Sequence, residues 1–209
     1  MTPSVALNLR HPDPDACVVD QEQRLTLHHV EWKQYVALRK LLDDVAGLRM
    51  TYLEGVLEIM SPSSEHERVK TLTARLLEAY AEEIDVPLNG FGSTTFKKKA
   101  KELGLEPDEC YWLGPPRTKF PDIAIEVIIT SGPWIDRLAV YRGLGVPEVW
   151  FWEDGRYRIH QLGSRGYEER PRSRFLPHLD PALLLRYLRR EDQTAAVKAF
   201  RRAIRRASE

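Results

Sequence analysis

Phe120-Pro121-Asp122-Ile123-Ala124-Ile125-Glu126-Val127-Ile128-Ile129-Thr130 is the clearest strand in this chain of 209 residues. Its β-branched residues favour extended backbone. Both faces of the run are apolar, so both are expected to be covered by other elements. Side chains alternate along a strand, which puts Asp122, Ala124 and Glu126 on one face. A carboxylate buried there without a partner costs several kcal/mol, roughly, so a metal ion, a cationic side chain or a proton has to compensate Glu126. Two acids separated by a small alanine leave room for a ligand. The plainer alternative is that Asp122 starts the strand in solvent and Glu126 pairs with an arginine.

Working outward, a helix from Trp134 to about Leu144 is expected, stopped by Gly145, and then a buried strand from Glu148 to Trp152. Asp154-Gly155 turns that strand into another, Tyr157 to Leu162. From Gly166 onward the reading is a loop followed by helices. Upstream, Glu106-Pro107-Asp108-Glu109 opens a strand eighteen residues ahead of Glu126. Ser93 to Lys99 reads as a strand with a basic end, followed by a turn around Gly104. Ser64, with Glu67 at capping-box spacing, opens a helix running to about Ile84. Ahead of it, Met50 to Met60 forms a hairpin around Glu54-Gly55, with Glu58 in its second strand. Val30 to Val45 carries helical periodicity. Residues 1–25 are expected as an extended arm, 26–185 as the principal domain and 186–209 as a basic C-terminal helix. Hairpins, a central helix, further strands and a second helix imply an α/β (α+β) mixed sheet with helices on its faces.

Composition narrows the function. The 31 basic and 31 acidic residues balance, which leaves a nucleic-acid partner open without arguing for one. Two cysteines, Cys17 and Cys110, form no CxxC pair and argue against a disulfide framework or thiolate zinc site. The N-terminus lacks the basic start and apolar run of a signal peptide, and no run is long enough to span a bilayer, so the expected location is cytoplasmic, with no membrane partner. No glycine-rich phosphate loop or nucleophile elbow occurs. The segment from Arg186 to Glu209 holds eight basic residues against three acids; it reads either as a contact to phosphate backbone or as a solvated terminal helix docked through Phe200. His66, early in its helix, reads as a capping or packing residue when taken alone.

The order of these blocks resembles the PD-(D/E)XK nuclease superfamily and, more closely, the Uma-two family of restriction-endonuclease-like proteins. The residues that carry the resemblance are Tyr52 to Pro62 with Glu65-His66-Glu67, Gly92 to Phe96, Leu105 to Tyr111, Phe120 to Val127 and Tyr141 to Trp150. The resemblance implies a restriction-endonuclease-like core in which Asp108 and Glu126 hold Mg²⁺ or Mn²⁺, with Asp122 as an accessory ligand; Glu58, on a strand with apolar neighbours on both sides, reads either as an assisting acid or as an edge-strand carboxylate facing water. It implies hydrolysis of DNA phosphodiester bonds, by a homodimer. Two departures stand out. Ile128 occupies the position of the superfamily lysine, and the family's alternative basic position, four residues before the tyrosine, is Arg137. Arginine can clamp a phosphate but does not deprotonate near neutral pH. The alternative is therefore a catalytically inactive nuclease-fold module that binds nucleic acid or a protein partner. Lys97 or Lys99 is a further candidate for the missing ammonium.

Overall fold

The computed structural model describes residues 21–208, apart from 46, 117, 131, 133 and 134. Most of the expected N-terminal arm, with Cys17, and the expected helix start at Trp134 therefore lie outside the described residues. The class is the mixed α/β one expected, and the two sheets and five helices among the described residues are consistent with a restriction-endonuclease-like fold.

The first sheet begins with β1 (Gln23–Leu27), whose residues 23–25 fall within the stretch read as arm. It continues through the hairpin β2 (Arg49–Leu53) and β3 (Val56–Ser61). Glu54 and Gly55 both have positive φ, 44° and 93°, the backbone of a two-residue hairpin turn that matches strand twist. Strands β5 (Phe96–Lys98) and β6 (Leu103–Leu105) complete an antiparallel order β1-β3-β2-β6-β5. The segment read as a strand from Ser93 to Lys99 is thus shorter than expected and runs into a 3₁₀ turn at Lys99–Lys101. Gly104, read as a turn, is mid-strand. A Cβ there would lie 2.5 Å from the Tyr35 hydroxyl, so close packing and not chain reversal demands the glycine. Helix α1 (Trp32–Leu41) covers this sheet through Tyr35, which stacks on Tyr52 at 4.8 Å.

The second sheet has the order β11-β10-β9-β8-β7-β4, from β4 (Leu88–Gly90), β7 (Glu109–Leu113), β8 (Ile123–Ile128), β9 (Glu148–Glu153), β10 (Arg156–Gly163) and β11 (Gly166–Arg170). Among the described residues only β8 and β9 pair in parallel, joined over the sheet by α3 (Arg137–Leu144). The loop expected from Gly166 is β11: Gly163↔Gly166 closes a tight hairpin that the glycine-serine-arginine-glycine stretch disguises as irregular.

Alternation along β8 decides what the site sees. Ile123, Ile125 and Val127 face a core built with α2 (Ser64–Glu83), α4 (Pro181–Leu188) and α5 (Gln193–Ser208). Ala124 and Ile128 join the opposite core, with α3 and with Phe96, Leu103 and Leu105 of the first sheet. Glu126 shares that second face and so lies where α3 and the first sheet meet the second sheet. Both faces of β8 are covered, as its composition requires. Helix α2 is capped by Ser63 and not Ser64; its hydroxyl accepts the His66 amide at 3.1 Å. The chain ends in α5, docked by buried Phe200 and Ile204.

Candidate active site

Strand register brings Asp108 and Glu126 together. Glu109 pairs with Ile125 across β7 and β8, and the Asp108 amide donates to the Ile125 carbonyl at 3.2 Å, so Asp108 lies opposite Glu126. Asp108 is 1% exposed and Glu126 fully buried. Asp108 Oδ2 accepts the Val127 amide at 2.8 Å, which fixes its carboxylate against the next strand.

Glu126 has both oxygens engaged. Oε2 accepts from Arg137 Nη1 and Oε1 from the Tyr141 hydroxyl. Arg137 and Tyr141 stand four residues apart on α3, hence on one face of the helix. The second guanidinium nitrogen of Arg137 donates to Glu58 Oε1 at 2.9 Å, and Arg24 Nη1 reaches the same oxygen at 2.9 Å. Arg24 Nε in turn donates to Glu22 Oε1 at 2.7 Å. His66 is completely buried on α2, its Nε2 3.2 Å from Asp108 Oδ2 and 4.0 Å from Glu22 Oε2.

The cluster contains more acid than base. Glu22, Glu58, Asp108 and Glu126 oppose Arg24, Arg137 and, when protonated, His66. Burial pushes Glu126 up to about 7, with the Asp108 charge adding to it and Arg137 and Tyr141 pulling the other way. Burial also works to raise Asp108, but His66, the Val127 amide and Arg137 outweigh it and hold that carboxyl below its usual range. For His66, burial disfavours the charge, yet Asp108, Glu22 and Glu67 overcome it and raise the imidazole above its ordinary value. Burial likewise opposes the Arg137 charge; Glu126, Glu58 and Asp108 keep the guanidinium protonated. In this arrangement Asp108 carries the negative charge and Glu126 shares a proton near neutrality.

Of the remaining sequence candidates, Glu58 joins the cluster at 1% exposure. Asp122 does not. Its Oδ2 accepts the Leu113 amide at 2.9 Å, tying β8 to the end of β7, and four residues of strand separate it from Glu126 by about 13 Å. Lys97 and Lys99 are exposed and take no part. The alternative in which an arginine neutralises Glu126 is realised, and that arginine is Arg137. Sequence reasoning missed Tyr141 as a partner of Glu126, although its i+4 spacing from Arg137 was available. It also missed Glu22 and Arg24, which carried no local signal.

The cluster suits a hard divalent cation in charge and donor type: carboxylate oxygens, an excess of negative charge, and buried Oε2 atoms of Glu22 and Glu58 that accept no hydrogen bond from the described residues. The side chains are not gathered for one as they stand. Among the described residues no three acids or histidines are grouped to hold a metal, and Glu126 can donate to an ion only by releasing Arg137 or Tyr141.

No curated protein matches the chain. A family model does: Uma2, described as "Putative restriction endonuclease", matches residues 32–190. That span contains Glu58, His66, Asp108, Glu126, Arg137 and Tyr141, while Glu22 and Arg24 precede it. The chain is a member of the Uma2 family.

Proposed function

We propose that this chain is a DNA endonuclease that hydrolyses phosphodiester bonds at the Asp108–Glu126 pair, with Mg²⁺ or Mn²⁺ as cofactor. The observation that carries the reading is the meeting of two buried carboxylates from adjacent strands inside a cluster with surplus negative charge. Asp108 and Glu126 would hold the ion, with Glu58 beside them. When bound, the ion lowers the pKa of water and offsets charge on the phosphate.

The chain's own groups divide the remaining work. The Val127 amide locks Asp108 in place, and the Tyr141 hydroxyl orients Glu126. As a ligand of the ion Glu126 would stay ionised and would not be the general base. Arg137 cannot serve as a general base either; it presents fixed positive charge to the phosphate. A cytoplasmic homodimer belongs to this reading, because severing two strands calls for two sites. Among the described residues no helix is long and apolar enough to cross a membrane.

The test is cleavage of plasmid DNA with Mg²⁺ or Mn²⁺. Wild type is expected to nick or linearise it and Glu126→Ala to abolish the reaction. Wild type that neither cleaves nor gains thermal stability with Mn²⁺ would sink the enzyme reading. One observation favours a second reading: Arg137 already bridges Glu126 and Glu58, so it can stand permanently in place of the ion. In that case the protein binds nucleic acid without cutting it, and its melting temperature is indifferent to Mn²⁺.

A further inference from the structure

Beside the acid cluster lies a cavity of about 300 Å³ whose lining includes Arg137, Phe151, Arg158, His160, Ile128 and Ile135. Sheet register explains why it is there. Glu126 pairs with Phe151 across β8 and β9, and Phe151 pairs with Arg158 across β9 and β10. Asp108, Glu126, Phe151 and Arg158 therefore form one transverse row on the same face of the sheet, with Arg137 of α3 over its middle. Arg137, which holds Glu126 and Glu58, is the side chain that joins the acid cluster to the cavity.

Its chemistry is divided. Three guanidinium groups line it: Arg24, Arg137, 7% exposed and held by Glu126 and Glu58, and Arg158, 32% exposed and paired with Glu153 at 3.3 Å; Asp136 lies in the same lining. Next to Arg158 stand two rings, Phe151 and His160, meeting edge to face with centroids 5.5 Å apart, with Ile128 and Ile135 in the same lining. Burial lowers the His160 pKa, so its ring is neutral at pH 7 and behaves as an aromatic surface. Cations beside an apolar, aromatic corner match an anion joined to a flat heterocycle. The volume is at the lower limit of small-ligand sites, enough for one nucleotide and far too small for a stacked base pair.

The geometry points to a pocket for one unstacked nucleotide of the substrate strand, its phosphate against Arg137 and Arg158 and its base against Phe151 and His160. This rests on the nuclease reading for the identity of the polymer and narrows it. The preferred DNA is one in which the nucleotide next to the reacting phosphate is already unpaired, because extraction from an intact duplex costs unstacking and unpairing that a single strand or mismatch does not require. Arg158 and His160 are then positioning residues, and Glu153 restrains Arg158 until a phosphate displaces it.

Binding measured in EDTA separates this inference from cleavage. Fluorescence anisotropy would compare a labelled single-stranded 12-mer, the matched duplex and a duplex with a central mismatch, at low salt. Single-stranded and mismatched DNA are expected to bind at least about fivefold more tightly than the matched duplex. Arg158→Gln should weaken single-strand binding about tenfold, whereas Glu153→Gln should strengthen it about threefold by freeing Arg158. Equal affinity for matched duplex and single strand, or no change in either variant, overturns the pocket, as does wild type that binds no DNA. Failure of cleavage with Mn²⁺ alongside the expected binding pattern overturns the enzyme reading alone.

Discussion

Two glutamates, each held by arginine, behave in opposite ways. Glu126 and Arg137 face each other between the sheets with side chains 1% and 7% exposed. Glu83 on α2, its side chain 9% exposed, is clasped by Arg201 and Arg205 of α5, which are 31% and 65% exposed. This rim carboxyl is pulled down to about 2, by Arg205 first and then Arg201. The buried one is pushed up to about 7 despite its arginine. Desolvation explains the reversal: at the rim two arginines that keep much of their water outweigh what Glu83 loses, while inside, where both partners are buried, the pair only partly repays the water removed. Ion pairing alone therefore does not locate a reactive acid. The site is where the pairing leaves a carboxyl unsatisfied.

The largest break in that comparison comes from removing the buried cation. Arg137→Ala leaves Glu126 and Glu58 facing each other's neighbourhood without their shared guanidinium. A loss on the order of 3–5 kcal/mol in unfolding free energy is expected at pH 7.5, read by urea denaturation. Arg137→Lys should recover part of this, since one ammonium can face either carboxylate but cannot match the planar fork. Replacing Arg205 on the surface should cost several-fold less. If both arginine removals cost the same, the distinction between the regions is lost.

The fold was largely legible because its signals are local. Glu54-Gly55 and Asp154-Gly155 announce hairpins, and both pairs have the positive φ that such turns require. Strand β6 and β11 were not, since Gly104 and Gly163–Gly166 sit in sheet positions for reasons of packing and hairpin closure made by distant residues. The site shows the same limit. Asp108, Glu126, Glu58 and Arg137 were readable as types in an order; Asp122, equally acidic and on the same strand face, turned out to brace the β7–β8 loop. Glu148 is the sharper lesson. It too is a fully buried acid beginning an apolar strand, yet it accepts from Trp150, Gln161, Ser173 and the Arg174 amide, a set of neutral donors. A sequence marks a buried acid, but most of the donors that make it structural or reactive come from other elements, 11 to 26 residues away.

A smaller effect sharpens the contrast through pH. The folded-state pKa of Glu126, about 7, lies above its ordinary value of 4.5, so between those limits the native state binds more protons than the unfolded chain. Stability tied to this group is present at pH 4.5 and falls as pH rises to about 7. Glu126→Gln removes the dependence. Relative to the variant, wild type should lose on the order of 2–3 kcal/mol between pH 4.5 and 7.5, followed by paired urea melts. Glu109, also pushed up to about 7 by burial, is present in both proteins and largely cancels in the difference. A constant gap between the two proteins across this range would mean that Arg137 fully compensates Glu126, and would favour the non-cleaving reading.

The smallest effect belongs to the surface clasp, and its sign is reversed. Glu83 has a depressed pKa, so its contribution is complete above about 4.5 and disappears as pH falls towards 2. Glu83→Gln should therefore lower the melting temperature slightly at pH 7, with the gap to wild type closing as pH falls from 4.5 to 2, so that the variant's acid limb is flatter. In 1 M NaCl the difference between variant and wild type should shrink further, because exposed pairs are screened over a Debye length of about 3 Å. The buried Glu126–Arg137 difference should persist at that salt. The clasp is secondary because α5 is already docked by Phe200 and Ile204, both buried against the α2 core, and their apolar contacts do not titrate. A Glu83→Gln variant that detaches α5 at neutral pH, seen as rapid amide exchange confined to Gln193–Ser208, would show instead that charge and not that apolar stripe holds the terminal helix.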